Sequence, residues 1–485
     1  MSLGQKALGG VIWTLASNLG LKFVTLFVGI VLARLLTPKD FGLVAMLMVF
    51  FSVSQSLVNS GFSQALIRER NLTEKDKSTA FSLNVIIAFV CYGILWVAAP
   101  AIANFYDNQQ LISLTRLMGL SVIFQSFTLV QNAQLIHELK FKKLMIVSVT
   151  ASVCSGILGV VLAYKGFGVL ALAYKYVVLS ITTTLLLYII NPWKPKYFIS
   201  KKSFRRLFGF GSKLLLSGLL NSIYQNIYKL VIGKFFSAVT LGLFTQAKLY
   251  VNQVTQSAVS TLQTVTYPIL SKVKDDPERL KEAYRKIIMA SSFAIFPLTM
   301  GLAVLAEPLI LTLIGRKWIG VVPFLQILCV SGALYHLHSI NLNVLKVVGR
   351  SDLFLKLEVI KKINTTLVII IGIQFGIWGL LIGSVLSSYV ALFINMYYTI
   401  KFINYTYKEQ FMDLLPIIAH TIPMITVLFL IQYFSNVPPV VTLLIGGVLG
   451  GIVYFTTTYL LKSLALIHIV DILSTKVPFI KKLRP

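Results

Sequence analysis

Long apolar runs separated by short polar segments occupy almost the whole chain. Each run holds about 20 residues or more, and a helix of that length crosses the ~30 Å hydrocarbon core of a bilayer. The pattern predicts an all-α polytopic membrane protein with about fourteen transmembrane helices. The predicted helices are 8–34, 42–63, 80–104, 112–136, 144–164, 168–190, 207–234, 241–268, 286–306, 319–346, 355–374, 376–400, 414–434 and 439–461.

The predicted helices divide into two lobes of six and a carboxyl-terminal pair. A basic segment that contains Pro192 and Pro195 separates the lobes, because proline stops the preceding helix. The predicted parts are an N-lobe at 1–190 with helices 1–6, a basic cytoplasmic linker at 191–206, a C-lobe at 207–400 with helices 7–12, helices 13–14 at 401–462, and an amphipathic, basic cytoplasmic tail at 463–485.

The two lobes share a weak internal repeat at a spacing of about 200 residues. The positions Gly9, Leu15, Ser17, Leu19, Val31, Gly42 and Leu43 recur as Gly209, Leu215, Ser217, Leu219, Val231, Gly242 and Leu243. Repeats of whole helix sets are frequent in secondary transporters, where the substrate site lies at the repeat interface. The repeat therefore predicts two homologous halves. We also expect Gly29, Gly42, Gly242 and Gly301 to let helices bend.

Composition excludes a soluble protein and changes the meaning of the charge. Hydrophobic residues make up 56% of the chain, and the net charge is +28 from 44 Lys and Arg residues against 16 acids. In a membrane protein this excess indicates cytoplasmic loops and contact with anionic lipid rather than nucleic acid. Most of the cations fall on one side of the predicted topology, which predicts that both termini are cytoplasmic.

The first predicted helix has one polar face. Thr14, Asn18, Lys22, Thr25 and Gly29 are spaced by four, four, three and four residues, so they share one side of the helix. A lysine at membrane depth costs ~2.5–3.5 kcal/mol unless it faces a partner or a water-filled cavity. The pattern predicts a helix that lines a hydrophilic lumen.

Other predicted helices also contain cations, whereas acids fall only near helix ends. These cations are Lys22, Arg116, Lys175, Lys213, Lys229 and Lys248. A buried cation needs an anion or water, so the set predicts a cavity of positive potential for an anionic ligand. Snorkelling to the membrane surface is an open alternative for all of these cations except Lys22, which lies deepest, and it is the simpler role for Lys213.

Amide side chains complete the predicted substrate site. Asn18, Gln55, Asn59, Asn132, Asn221 and Gln256 lie on the polar faces of predicted helices 1, 2, 4, 7 and 8. Amides and hydroxyls suit a glycan, although a single polar residue in a membrane helix more often bonds a neighbouring helix. Together with Lys22, Lys175, Lys229, Lys248 and Arg116, they form the predicted binding set. We predict no catalytic residue, metal site or cofactor.

The segment from Leu32 to Met46, LARLLTPKDFGLVAM, resembles the Wzx-type polysaccharide exporters of the MOP exporter superfamily, especially the colanic-acid-type subgroup. The matching positions are Leu32, Ala33, Arg34, Leu36, Pro38, Phe41, Gly42 and Leu43. The resemblance implies a MOP/MATE-like fold in a bacterial cytoplasmic (inner) membrane. It also implies flipping of undecaprenyl-pyrophosphate-linked repeat units by alternating access, with a polysaccharide polymerase and a chain-length regulator as possible partners.

The alternatives are a peptidoglycan lipid-precursor flippase, a MATE-type cation or drug antiporter, an enzyme and a scaffold. Drug exporters of the superfamily carry an acid in helix 1, where this chain has Lys22. His336 and His338 could titrate, but packing is the simpler role for them. No nucleophile, metal set or carboxylate pair favours an enzyme. Cys91, Cys154 and Cys329 show no spacing typical of a metal site or disulfide.

Overall fold

The computed structural model describes residues 3–59, 61–69, 72–194, 196, 199–434 and 437–474, and these residues contain helices but no strand. The chain packs into two compact units, Met1–Thr245 and Gln246–Pro485. The expected all-α polytopic fold is confirmed. The helices that begin in the first unit are α1 (Leu3–Leu35), α2 (Pro38–Asn59), α3 (Phe62–Arg68), α4 (Glu74–Phe105), α5 (Gln110–Ser126), α6 (Leu129–His137), α7 (Phe141–Tyr164), α8 (Val169–Ile190), α9 (Lys201–Phe235) and α10 (Ala238–Lys272).

The second unit contains the remaining helices. They are α11 (Pro277–Val304), α12 (Ala306–Leu313), a 3₁₀ turn (Arg316–Trp318), α13 (Val321–Ala333), α14 (Tyr335–Val347), α15 (Ser351–Gln374), α16 (Gly376–Ile403), α17 (Tyr407–Phe434), α18 (Pro439–Leu460) and α19 (Leu464–Ser474). Helix α19 forms the first part of the predicted tail, and residues 475–485 of that tail lie outside the described part of the chain.

Several predicted helices are broken in the structure. The predicted helix 112–136 is the pair α5 and α6, bent by 44°. Next to this break the hydroxyls of Ser126 and Thr128 donate to the carbonyls of Ile123 and Gln125, which offers the backbone an alternative to a straight helix. The predicted helix 319–346 is interrupted at Leu334, between α13 and α14, although the two form one span at Val321–Val347. Hydropathy gives no sign of such breaks, because the residues around them remain apolar.

Among the described residues, nine helical segments are long and apolar enough to cross a membrane, when α2 is counted with α3 and α13 with α14. The number is ten if α5 and α6 form one span. The predicted count of fourteen is therefore not confirmed by these residues. The predicted span 355–374 is observed within α15, and the first half of that helix carries Glu358, Lys361 and Lys362. The predicted helix 207–234 begins earlier, at Lys201, because the Ser200 side chain accepts a hydrogen bond from the Ser203 amide.

In the first unit, α2 and α9 run antiparallel and lie against each other along most of their length. Moving inward from the start of α2, Met46 lies by Gly233, and Ser52 contacts Asn226. Farther along, Ser56 contacts Ser222, and Gly61 meets Gly211. We call this contact the α2–α9 seam. Gly61 has φ +68°, and a Cβ there would lie 2.5 Å from the Gly211 carbonyl oxygen, so this end of the seam requires glycine.

The two copies of the internal repeat meet in a reciprocal glycine contact. A Cβ on Gly42 would overlap the carbonyl of Ala238, and a Cβ on Gly242 would overlap the carbonyl of Pro38. These pairs exchange places under the 200-residue repeat, so the first turns of α2 and α10 cross in the same way from both sides. The structure thus gives Gly42 and Gly242 a close-packing role, whereas we expected them to let helices bend.

We predict that Gly42→Ala destabilises the protein, because a methyl group cannot fit against the Ala238 carbonyl without moving a helix. Overpacking of this kind costs ~1–3 kcal/mol. The midpoint of thermal unfolding in detergent, followed by size-exclusion chromatography, measures the loss.

Gly29→Ala is the matched control, since a Cβ on this helical glycine would meet nothing within 4 Å. Alanine there should leave the midpoint unchanged or raise it slightly, because alanine favours helix over glycine. Equal stability of the two variants would show that α2 and α10 do not approach this closely.

Candidate functional site

A chain of hydrogen bonds links the two helices of the α2–α9 seam. The hydroxyls of Ser56 and Ser222 lie 2.6 Å apart, and the Asn226 amide donates to the Ser52 hydroxyl over 3.0 Å. The Lys229 ammonium donates to the Asn226 side-chain oxygen over 2.9 Å. Each hydrogen bond between membrane helices contributes ~0.6 kcal/mol on average. Two of these hydrogen bonds cross between the helices, and the bond from Lys229 lies within α9.

Four amide side chains lie beside this seam. Gln55 and Asn59 precede and follow Ser56 by one and three residues, and Asn221 and Gln225 stand in the same relation to Ser222. Because the two helices are antiparallel, residues at equal offsets from the facing serines point to the same side of the plane that contains both helix axes. We call these four residues the amide patch. Gln55 is half-buried and the other three are exposed, so the amides remain available for a ligand.

Sequence reasoning missed Asn226, which connects the seam to Lys229. Asn226 is 8% exposed and touches α2 as well as its own helix. The sequence feature that could have identified Asn226 is its position three residues before Lys229, because residues three apart lie next to each other on the surface of a helix. Lys229, predicted to bind substrate, is thus held by a neutral amide rather than by an acid.

Two other predicted cations are held by aromatic rings. The Arg116 guanidinium lies 4.4 Å above the centroid of the Trp96 ring. The Lys175 ammonium lies 5.7 Å from the centroid of the Tyr176 ring, and its stem packs on Gly159 of α7. Both distances are within the range of cation–π attraction. These rings stabilise the cations without neutralising their charge.

The remaining predicted residues have different settings. Lys22 lies in α1 and is half-buried. The side chain of Asn18, on the same helix, is not among the side chains that the structure describes. Asn132 is half-buried in α6, beside Gln131, which is fully buried with no hydrogen bond to either amide atom among the described residues. Lys248 and Gln256 belong to the second unit, where Lys248 is half-buried and Gln256 is exposed; the other candidates belong to the first.

In the second unit the two histidines take part in buried polar contacts. His336 is fully buried and lies 2.8 Å from the Ser292 hydroxyl. The ring nitrogens of His338 lie 3.0 Å from the Ser388 hydroxyl and 3.1 Å from the Asn395 amide. Contacts of this kind fit the packing role that we expected for both residues.

Acids lie farther inside helices than the hydropathy pattern indicated. Asp413 is the seventh residue of α17, is 7% exposed, and accepts hydrogen bonds from Arg285 and Tyr405, both over 2.5 Å. Glu358 is the eighth residue of α15 and pairs with Lys361. The observed helices begin earlier than the apolar runs, which explains the difference. Both acids are already paired with cations of this chain.

Comparison with known proteins gives a consistent result. Residues 31–323 match a family model described as polysaccharide biosynthesis protein. The chain is 25% identical over 466 residues to the succinoglycan biosynthesis transport protein ExoT of Rhizobium meliloti (strain 1021), covering 94% of this chain and 93% of that protein. It is 23% identical over 418 residues to the lipopolysaccharide biosynthesis protein WzxC of Escherichia coli (strain K12), covering 85% of each chain.

A solved structure shares the fold. The lipid II flippase MurJ, in an inward closed conformation, superposes with a TM-score of 0.76 at 15% sequence identity, over 93% of this chain and 98% of that one. At this identity the likeness concerns the fold alone, and it confirms the expected architecture. The family match extends over more than half of the sequence and includes the whole segment from Leu32 to Met46 that carried the resemblance. The chain therefore belongs to the polysaccharide biosynthesis protein family.

Proposed function

We propose that this protein flips undecaprenyl-pyrophosphate-linked oligosaccharide repeat units from the inner to the outer leaflet of the cytoplasmic membrane, for biosynthesis of a surface polysaccharide. The observation that carries this proposal is the amide patch beside the hydrogen-bonded α2–α9 seam. An oligosaccharide presents many hydroxyls that need donors and acceptors, and carboxamides supply both. Family membership supports the same function.

The substrate has three chemically different parts, and the chain offers a suitable setting for each. The diphosphate needs cations, which we assign to Lys22, Lys175, Lys229, Lys248 and Arg116, acting in turn during transport. The glycan needs polar neutral groups, which we assign to Asn18, Gln55, Asn59, Asn132, Asn221 and Gln256. The polyprenyl tail needs only lipid. In this scheme the protein performs no covalent chemistry and requires no cofactor or metal.

We further propose that both termini are cytoplasmic, as the distribution of basic loops favours. A polymerase that joins the flipped units and a regulator of chain length are the partners that this role implies. The cations within helices are less suited to a drug or cation antiporter, since they would repel a cationic substrate. A peptidoglycan-precursor flippase has similar requirements, but the family match favours the polysaccharide role.

Lys22→Gln should reduce export of the surface polysaccharide and cause lipid-linked repeat units to accumulate on the cytoplasmic leaflet. Loss of a hydrogen bond to a charged group costs ~1.5–3 kcal/mol, which corresponds to roughly a 10- to 150-fold drop in affinity. The assay measures both products in a host that lacks its own copy of the protein. Lys22→Arg should restore export at equal protein level. Full export by the Gln variant would remove Lys22 from the substrate site.

A crosslink across the α2–α9 seam should block transport. Since α2 belongs to the first repeat and α9 to the second, we propose that the transport cycle opens this seam. The Ser56 and Ser222 hydroxyls are 2.6 Å apart, so Ser56→Cys with Ser222→Cys should form a disulfide on oxidation. We expect export to stop under oxidation and to return after reduction, in a background whose native cysteines are replaced by alanine.

Each single cysteine variant, treated with the same oxidant, controls for damage unrelated to the crosslink. Gel mobility after cleavage in the linker between α8 and α9 reports the crosslinked fraction. If a fully crosslinked protein exported polysaccharide at the normal rate, opening of this seam would not be part of the transport cycle.

A further inference from the structure

Four cations occupy the first two turns of α9. Lys201, Lys202, Arg205 and Arg206 are all exposed and line an open cleft of about 490 Å³. We call these residues the basic cluster. Their spacing places Lys201 beside Arg205 and Lys202 beside Arg206 on adjacent turns, with Cβ atoms about 5–6 Å apart.

The start of α9 is fixed to the start of α4. Arg206 contacts the fully buried carboxylate of Asp76 at 2.5 Å, and Asp76 itself caps α4 together with Thr73. The Ser200 amide, just before α9, donates to the Thr79 hydroxyl over 3.0 Å. The hydrogen bond to Asp76 raises the pKa of Arg206, which keeps this residue charged. These contacts hold the first turns of α9, and with them the basic cluster, in a fixed position against the start of α4.

The local acids neutralise only part of this charge. Asp76 and Glu69 both face Arg206, while Glu74 binds Lys77 and the Trp193 indole. Within the part of the chain that the structure describes, no acid forms an ion pair with the other three members of the cluster.

The helix itself adds to the positive potential. The amino end of a helix carries a partial positive charge, so cations there are unfavourable and anions favourable. The first turn of α9 contains no acid that would offset this. Three unpaired cations at the positive end of a helix therefore attract an anion from outside the chain.

We infer that the basic cluster binds the phosphate-bearing head group of a membrane lipid. The membrane span predicted from the sequence begins at residue 207, and this prediction places the cluster within two turns of the hydrocarbon boundary, at the depth of lipid phosphates. Lys and Arg supply the charge-assisted hydrogen bonds that phosphate oxygens accept. None of the residues that we assign to the substrate belongs to the basic cluster, so the phosphate site is separate from the proposed substrate site.

Two lipids present this chemistry: an anionic phospholipid and the diphosphate-linked substrate. The second would give the cluster a role in transport, because the amide-patch residue Asn221 lies on the same helix, 16 residues or about 24 Å beyond Arg205. That role rests on the proposed function, whereas the phosphate site does not.

The test measures lipid binding by native mass spectrometry of the purified full-length protein. The probes are a polyprenyl diphosphate without glycan, phosphatidylglycerol and, as a zwitterionic reference, phosphatidylethanolamine. The cluster variant combines Lys201→Gln, Lys202→Gln and Arg205→Gln, and leaves Arg206 and its anchoring pair intact. The control variant combines Lys272→Gln, Lys274→Gln and Lys408→Gln, three exposed cations of other basic loops. Both variants lose the same charge.

We expect the dissociation constant of at least one phosphate lipid to rise about 100-fold in the cluster variant, since each cation near an anionic lipid contributes roughly fivefold. The control variant should stay within about twofold of the parent. Selective loss of the diphosphate identifies the substrate head group, and selective loss of phosphatidylglycerol identifies a phospholipid site. Equal binding by the parent and both variants, or equal loss in both variants, would overturn the inference.

Failure of the flippase proposal is distinguishable from failure of this site. Unchanged surface polysaccharide and unchanged lipid-linked precursor in a host that lacks the protein altogether would reject the flippase proposal. Selective loss of phosphatidylglycerol binding in the cluster variant would still support a phosphate site. Conversely, unchanged binding in the cluster variant would reject the site and leave the export assays untouched.

Discussion

This structure depends on one constraint: a polar side chain within a membrane must have a hydrogen-bonding partner. In a membrane, a hydroxyl or amide that leaves its partner finds no water to replace it. The α2–α9 seam meets this constraint with short side chains that bond across the two helices, as Ser56 and Ser222 do. Because both partners are small, the helices approach closely, and because each bond is weak, the contact remains reversible.

Close approach and movement place opposite demands on the same helices. The reciprocal contact of Gly42 and Gly242 brings the first turns of α2 and α10 nearer than any larger residue would permit. Such contacts gain dispersion energy over many atoms without a long side chain to disentangle. A hinge that relied on flexible glycines would sacrifice this packing. Both copies of the repeat therefore contribute a close-packed glycine to the crossing of α2 and α10. Glycines rather than long interlocking side chains make this contact, so little hinders the separation of these two helices.

The sequence was sufficient for the all-α fold and the family. It was insufficient wherever the outcome depended on a residue far away in the chain. The pairing of Asn226 with Ser52 and of Arg116 with Trp96 joins different helices, and no helical periodicity contains that information. The break between α5 and α6 was missed for another reason: averaged hydropathy ignores the hydroxyl of Thr128, which bonds back to the chain.

The partners of the cations divide them into two groups with different chemical consequences. Arg285 binds the carboxylate of Asp413, so its charge is neutralised inside the protein and little attraction remains for an outside anion. Lys229 and Arg116 are instead held by an amide and an aromatic ring, which orient a cation without cancelling its charge. A diphosphate that approaches these residues meets a positive field at modest reorganisation cost. Neutral partners therefore fit a transient anion contact better than acidic partners, which the anion would first have to displace.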